Sequence, residues 1–217
     1  MKFLAFSTRI VAVAAITTAF TTSASAFLAT NGGFETGDLT GWTASGAPFV
    51  NPPDTWEVID DASEAFDGQY YGRLEAVSTP SGPVAKQANI GIGVVNPGDE
   101  ITVSFWARGA TAVGGVHFVE LFGELSGGGT SSSEIIGGPV LTDLSATEWK
   151  FYEFSGILTG ADVTGGATVQ FVASTGASNG SSSYLELDNV TIVPEPASLA
   201  LLGLGGLAML GRRRRQA

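Results

Sequence analysis

The stretch Ile101-Thr-Val-Ser-Phe-Trp-Ala-Arg108 decides the fold, because apolar and polar side chains alternate along it without a break. Successive side chains of a β-strand point to opposite faces of the sheet, so the stretch predicts one apolar face and one polar face. The apolar face consists of Ile101, Val103, Phe105 and Ala107. The opposite face consists of Thr102, Ser104, Trp106 and Arg108. A strand with this pattern belongs to an antiparallel sheet that packs against a core with one face.

The same two-residue period recurs along the chain and predicts an all-β domain. The other strand-like runs are 55–59, 69–76, 84–90, 115–121, 133–141, 149–157, 168–174 and 184–193. Turns rich in Gly, Ser, Asn and Pro separate the runs, and no helical stripe of apolar residues competes with them. Many short strands joined by such turns favour a jelly-roll β-sandwich.

The N-terminal residues have the pattern of a signal peptide. Lys2 and Arg9 supply positive charge, an apolar stretch follows them, and Ala24-Ser-Ala26 is a small-residue cleavage site. We therefore expect residues 1–26 to be removed during export and the mature chain to begin at Phe27.

The C-terminal residues combine three elements in order. Val193, Pro194, Glu195 and Pro196 come first, an uncharged apolar run over 197–210 follows, and then come Arg212, Arg213, Arg214 and Arg215. With its flanks, the apolar run is about long enough to cross a thin bilayer as a transmembrane helix, and arginines beside a span stay on the cytoplasmic side. The prolines disfavour both helix and strand, so we expect an extended, accessible segment at the membrane surface.

This order of elements resembles the PEP-CTERM sorting signal of Gram-negative bacteria, and the resemblance covers 193–217. It implies that the exported precursor sits in the inner membrane, where an exosortase, a membrane cysteine protease, recognises the motif and removes the helix. It also implies delivery to the cell surface or the extracellular matrix. The alternative is a membrane anchor that is never cut, although an anchor alone has no need of Pro-Glu-Pro.

Residues 27–192 form one predicted domain with an acidic composition. They hold four basic and twenty acidic side chains, a net charge of −16. Such a surface repels nucleic acid and anionic headgroups and favours cations or neutral ligands. The chain has no cysteine, so the domain must rely on its core or on a metal, and the acid excess makes Ca²⁺ the natural candidate.

Four segments raise a second resemblance, and they occur in the expected order along the chain. They are Thr30–Trp42, Asp67–Tyr71, Asn96–Trp106 and Tyr184–Ile192. Together they resemble the galactose-binding-like jelly rolls found in many carbohydrate-binding modules. The resemblance implies a fold of that type, whereas a sugar ligand follows less directly, because one fold serves many functions.

The same resemblance implies a structural Ca²⁺ site where the first and last strands meet. Glu35 and Asp188 match its acidic ligands, and we expect backbone carbonyls near Gly37 and Asp67 to complete it. Oxygen ligands from distant parts of the chain suit a hard cation and would tie the two ends together. The alternative is that the two carboxylates are solvated or accept hydrogen bonds from loop N–H groups.

Trp106 is the candidate platform for a ligand, because an aromatic ring among polar neighbours suits the C–H face of a sugar. Arg108 lies on the same predicted face, and Tyr152 and Gln170 join this surface if the alternation holds in their own strands. The alternative is that a loop covers Trp106 and makes it part of the core, as is usual for large aromatic residues.

The sequence offers no recognisable catalytic motif, so we expect a non-catalytic protein. Gly176-Ala-Ser-Asn-Gly180 has the G-x-S-x-G spacing but lies in a loop between two strands, whereas a nucleophile elbow joins a strand to a helix. His117 is the only histidine and precedes that serine, and there is no cysteine nucleophile. A pair of carboxylates at glycosidase spacing depends on the fold and stays open.

Two functions remain after these exclusions. The first is an exported, non-catalytic module that binds extracellular polysaccharide in an exopolysaccharide or biofilm context. The second is a structural acidic matrix protein without a specific ligand. The sequence does not decide between them.

Overall fold

The computed structural model describes residues 28–44, 53–137, 141 and 143–195, in which every regular element is a β-strand. The strands are β1 (Thr43–Ala44), β2 (Thr55–Asp60), β3 (Tyr70–Ala76), β4 (Val84–Ile90), β5 (Glu100–Ala112), β6 (Val116–Glu124), β7 (Thr130–Gly137), β8 (Lys150–Ile157), β9 (Gly166–Ser174) and β10 (Ser182–Glu195). The predicted signal peptide, apolar run and arginine cluster lie outside the described residues. Within the described ranges, no helix is long and apolar enough to cross a membrane.

The strands form two five-stranded antiparallel sheets, which we call sheet I and sheet II. Sheet I has the order β1-β4-β9-β6-β7, and sheet II has the order β2-β3-β10-β5-β8. Consecutive strands often lie in different sheets, as the long crossovers of a jelly roll require. The predicted all-β jelly-roll sandwich is therefore confirmed.

All nine predicted strands are present, but only the strand at 84–90 has the predicted bounds, and two of the differences are informative. Strand β7 begins at Thr130, because a run of Ser and Thr that reads as loop pairs with β6 across Phe122 and Ser133. Strand β10 continues to Glu195, three residues into the segment assigned to the sorting motif. The boundary between domain and tail predicted at residue 192 therefore lies within a strand.

The core lies between the sheets and contains the apolar face predicted for β5. All four of its side chains are fully buried: Ile101, Val103, Phe105 and Ala107. Phe105 reaches across to sheet I, where its ring meets Phe171 edge-on at 4.9 Å between centroids. The alternation along β5 thus places one face in the core and the other on the outside of sheet II.

A second part of the core is an aromatic cluster at the start of the domain. Phe34 stacks on Trp42 at 5.2 Å and meets Trp56 edge-on at 5.8 Å. All three rings are buried, so both tryptophans pack in the core. The cluster covers Gly72 of β3 so closely that a Cβ there would lie 2.5 Å from Phe34 Cζ and 2.7 Å from Trp56 Cη2.

We predict that Gly72→Ala lowers the free energy of unfolding by about 1–3 kcal/mol, because the added methyl group overpacks a rigid aromatic cluster. Gly127→Ala is the matched control, since a Cβ there meets no atom within 4 Å. Urea unfolding of both variants measures the difference. If the two variants had equal free energies of unfolding, the aromatic cluster would accommodate the added methyl group without overpacking, and the prediction would be wrong.

Candidate functional site

Trp106 lies on the outer face of sheet II, as predicted, but it is not an open platform. Phe66, from the loop between β2 and β3, stacks on its ring with 3.9 Å between centroids and 14° between planes. The Phe151 ring also lies next to Trp106, with 5.6 Å between the two ring centroids. The loop therefore covers one face of the Trp106 ring, while the side chain stays partly exposed and outside the core.

Arg108 is committed to contacts within the protein. Its Nε donates to Glu186 Oε2, its Nη1 lies 2.7 Å from Glu64 Oε2, and its guanidinium lies 4.8 Å from the centroid of the Trp149 ring. Burial lowers the pKa of Arg108, but the hydrogen bonds to the two carboxylates outweigh burial, so the pKa is raised. With 7% of its surface exposed, Arg108 fixes the covering loop and is not available to a ligand.

Tyr152 and Gln170 do not share a surface with Trp106, which corrects a further prediction. Tyr152 is the cross-strand partner of Phe105 and points into the core, where the two rings stack at 5.5 Å. Its burial and the nearby Asp143 carboxylate raise the pKa of Tyr152 to about 12. Gln170 belongs to sheet I. The sequence shows the alternation within β8 but not the register of β8 against β5. A shift of one residue in that register exchanges the core face and the outer face of the strand.

A groove of about 520 Å³ lies on the outer face of sheet I. Its walls come from β4, β6, β9 and the segment before β4. The lining residues are Pro80, Ser81, Gly82, Val84, Phe118, Glu120, Gln170, Val172, Ser174 and Thr175. Gln170 is the one predicted ligand-binding residue among them, so part of the predicted site survives on the opposite sheet.

Polar and apolar side chains run in parallel rows across this groove. Register pairs Lys86 with Gln170 and Gln170 with Glu120, and the Gln170 amide donates to the Glu120 carboxylate. The next row pairs Val172 with Phe118. An apolar row beside amide and carboxylate groups can hold a molecule that has one C–H face and several hydroxyl groups.

Hydrogen bonds fix one end of the groove. Ser81 N donates to Thr175 Oγ1 at 2.9 Å, and Thr175 N donates to Ser81 O at 2.8 Å. Ser174 Oγ donates to Ser81 O at 2.9 Å. The buried Asp54 carboxylate accepts from the Ser81 hydroxyl and from the backbone N–H groups of Val77 and Ser78. This end is therefore shaped before any ligand arrives.

Sequence reasoning missed Phe118 and Glu120, although a signal for them exists. The run Val116-His-Phe-Val-Glu-Leu-Phe122 alternates, and its outward set contains two aromatics beside a carboxylate. That pattern is at least as informative as the one around Trp106. The hydroxyl groups of Ser81 and Thr175 had no signal, because a crossover brings them together over 94 residues.

Asp188 and Glu35, the predicted metal ligands, both hold the loop between β2 and β3. Asp188 Oδ2 accepts from the backbone N–H groups of Phe66 and Asp67 at 3.0 and 3.1 Å. Glu35 Oε1 accepts from those of Gln69 and Tyr70 at 3.0 and 3.1 Å. These are the loop hydrogen bonds that the alternative interpretation of the two carboxylates describes.

The two carboxylates also lie close to one another. A Cβ on Gly33 would approach Asp188 Oδ1 to 3.7 Å and Glu35 Cγ to 3.8 Å. Burial, opposed by the N–H donors and assisted by the Glu35 charge, raises the pKa of Asp188 to about 6. The site thus concentrates negative charge that part of the loop backbone already compensates.

Gly37 and Asp67, the other two predicted ligands, lie near Asp188 and Glu35. Gly37, at φ +73°, packs on the Tyr70 ring, and Asp67 presents its N–H group to Asp188. In the described part of the chain, no three His, Cys, Asp or Glu side chains converge as a metal site. A cation here would need backbone oxygens in addition to the two carboxylates.

His117 is a fully buried residue of β6. It is 1% exposed, and its Nε2 has no hydrogen-bond partner among the described residues. Burial lowers the pKa of His117 to about 4, while a hydrogen bond to the backbone of Tyr184 acts in the opposite direction. A neutral, enclosed imidazole explains why His117 stays out of any surface chemistry.

We predict that His117 makes the domain sensitive to acid. Its folded pKa is depressed, so its contribution to stability is present above pH 6.5 and is lost as pH falls towards 4. Urea unfolding at pH 7 and at pH 4 gives the free energy of unfolding of the native chain and of His117→Gln. Between these pH values, the free energy of unfolding should fall by about 2–3 kcal/mol more in the native chain than in the variant. Asp188 acts oppositely in this window but is common to both proteins. Parallel losses in the two would contradict the prediction.

The two sheets form a jelly-roll sandwich, a fold that the chain shares with solved carbohydrate-binding domains. Residues 193–215 match the PEP-CTERM protein-sorting motif, which confirms the resemblance of the tail. The motif marks an exported protein whose membrane-anchored precursor is processed by exosortase, a membrane protease. No curated protein matches the chain significantly.

Several solved structures share the fold. The CBM22-1 xylan-binding domain of Paenibacillus barcinonensis Xyn10C is 15% identical, with a TM-score of 0.53 over 79% of this chain and 96% of that one. The Stig cyclase Fisc of Fischerella sp. TAU is 16% identical, with a TM-score of 0.54 over 80% and 99%.

The enzymatically active domain of tailspike protein 4 of bacteriophage CBA120 is also 16% identical, with a TM-score of 0.55. That match covers 78% of this chain, which spans only 21% of the tailspike chain. The three neighbours include a binding domain and two proteins linked to catalysis, so the likeness defines the fold and leaves the activity to the site.

Proposed function

We propose that the domain is a non-catalytic module that binds a neutral polysaccharide in the groove of sheet I. The observation that carries the proposal is the row of Gln170 and Glu120 beside the apolar row of Phe118 and Val172. A pyranose ring places its C–H face on the apolar row and its hydroxyl groups against the amide and the carboxylate.

Charge favours a neutral ligand over an acidic one. The domain carries four basic and twenty acidic side chains, and Glu120 adds a carboxylate to the groove itself. An acidic polymer would meet repulsion both at long range and in the groove. The xylan-binding domain of similar fold supports a polysaccharide ligand, although at 15% identity it does not identify the sugar.

The proposal extends to where the module acts. Sorting by exosortase brings the protein to the outside of a Gram-negative cell, where the polymer available in quantity is the extracellular polysaccharide of the matrix or biofilm. The module would link the protein to that polymer. A structural acidic matrix protein without a ligand is the alternative that the following experiment separates.

We predict that Gln170→Ala weakens binding to a neutral polysaccharide such as xylan about 10-fold, because the lost amide leaves hydroxyl groups and Glu120 without a partner. Phe118→Ala removes the stacking surface and should weaken binding at least as much. Isothermal titration with xylan, other neutral glucans and galactans, and alginate measures the effect. Alginate should not bind.

Trp106→Ala is the control, since Trp106 lies on the other sheet and should retain full affinity. Melting temperatures of all variants report whether the fold is intact. Loss of binding in the Trp106 variant alone would move the site to sheet II. A native chain that binds none of these polymers would favour the structural matrix role.

We further propose that Asp188 and Glu35 hold a structural Ca²⁺ ion. The observation that supports it is the buried Asp188 carboxylate, whose pKa is raised to about 6 beside a second carboxylate. A divalent cation supplies the positive charge that this pair lacks, and Asp67 and Gly37 lie on the adjoining loops. Bound there, the ion would fasten the loop between β2 and β3 to β10.

We predict that Ca²⁺ at about 100 times its Kd raises the melting temperature by about 5–10 °C relative to excess chelator, from about 2.7 kcal/mol of linkage. Asp188→Asn should abolish the rise, whereas Asp162→Asn, which removes an exposed carboxylate held only by Thr164, should keep it. Calorimetry of the native chain and the two variants, each in Ca²⁺ and in excess chelator, tests this. If the native chain melted at the same temperature in Ca²⁺ and in chelator, the Ca²⁺ site would be excluded. Asp188 and Glu35 would then serve only as acceptors of the loop hydrogen bonds.

A further inference from the structure

The last strand of the domain contains the first three residues of the sorting motif. Register pairs Val193 with Thr102, Pro194 with Ile101 and Glu195 with Glu100. Strand β5 itself begins at Glu100, so β5 and β10 end together. The accessible segment predicted for this part of the motif is therefore wrong for 193–195, which are part of sheet II.

Hydrogen-bond directions explain why a proline is tolerated there. Val190 N donates to Gly32 O, and Leu28 N donates to Ile192 O, so the backbone groups of 190 and 192 face the N-terminal segment. By the alternation of a strand, the nitrogen of Pro194 faces the same way and not β5. Its missing N–H therefore removes no bond from the β5 ladder.

Packing also holds this end of β10. Pro194 is buried, and its cross-strand partner Ile101 and its neighbour Ile192 are fully buried members of the core. Detaching the last residues of β10 would uncover Ile101. Both backbone edges of β10 are thus bonded at Ile192, whereas over 193–195 the strand is paired with β5 and Pro194 is buried.

A protease usually binds its substrate as an extended strand, with backbone hydrogen bonds from the enzyme to several residues around the scissile bond. In this chain, β5 and the segment 28–32 already occupy those backbone groups up to Ile192, and β5 does so up to Glu195. A protease that cut between Val193 and Glu195 would therefore have to displace this stretch from β5.

We propose that the sorting protease cuts at the Glu195–Pro196 bond or beyond it, and that the pairing of β10 with β5 sets this limit. In hydrolysis, the peptide C–N bond breaks, water supplies a hydroxyl to the carbonyl carbon, and a proton goes to the leaving nitrogen. The sorted protein keeps β10 whole. The proposal does not depend on polysaccharide binding, so either can fail alone.

The first test determines the C terminus of the full chain after export from cells that sort it, by intact mass and by the mass of the C-terminal peptide. We expect the chain to end at Glu195 or later. An end at Val193, at Pro194 or further upstream would overturn the proposal. Recovery of only the uncut C terminus would overturn it as well.

The second test separates strand pairing from simple sequence preference. A six-residue Gly-Ser spacer between Ile192 and Val193 moves the whole motif off β5, and the same spacer between Gly127 and Gly128, where a Cβ meets no atom within 4 Å, is the matched control. We expect products that end at Val193 or Pro194 with the first insertion only. An unchanged cut in both, or a shifted cut in both, would overturn the role of pairing.

Discussion

The pairing of β10 with its neighbours is the interaction on which the rest of the structure depends. This strand pairs with β5 along most of its length, with β3 over 183–187, and with the N-terminal segment through Leu28 and Ile192. A register shift between Asp188 and Thr191 bends it where the first and last segments meet. The closure of the sandwich and the position of Asp188 both follow from this one strand.

The loop between β2 and β3 depends on β10 in turn. Asp188 binds the N–H groups of Phe66 and Asp67, and Arg108, held by Glu186 of β10, binds Glu64. The loop is thereby seated over the outer face of sheet II, with Phe66 flat on the Trp106 ring. A surface that looks suited to a ligand in one strand is thus occupied by the protein itself, and the open groove is on the other sheet.

The sequence was sufficient for the fold because the core pattern is local. Alternation in β5 assigned Ile101 and Phe105 to the core, and the turn residues separated the strands. Prediction of the candidate site requires the pairing register of the strands, which is not a local property. A shift of one residue would exchange the faces of Tyr152 and Phe151. Gln170 lies in a groove because β9 pairs with β6, which places Glu120 beside it. The covering of Trp106 depends on a loop 40 residues away, and no periodicity reports it.

Strand β10 also sets how far the groove stands from the cell. Its first residues adjoin the groove end, where Ser183 bonds to Val116 O and Val116 pairs with Ser174, and its last residue adjoins the sorting tail. At about 3.3 Å per residue, the strand spans roughly 45 Å. A precursor held by its tail would therefore carry one end of the groove about the length of β10 away from Glu195.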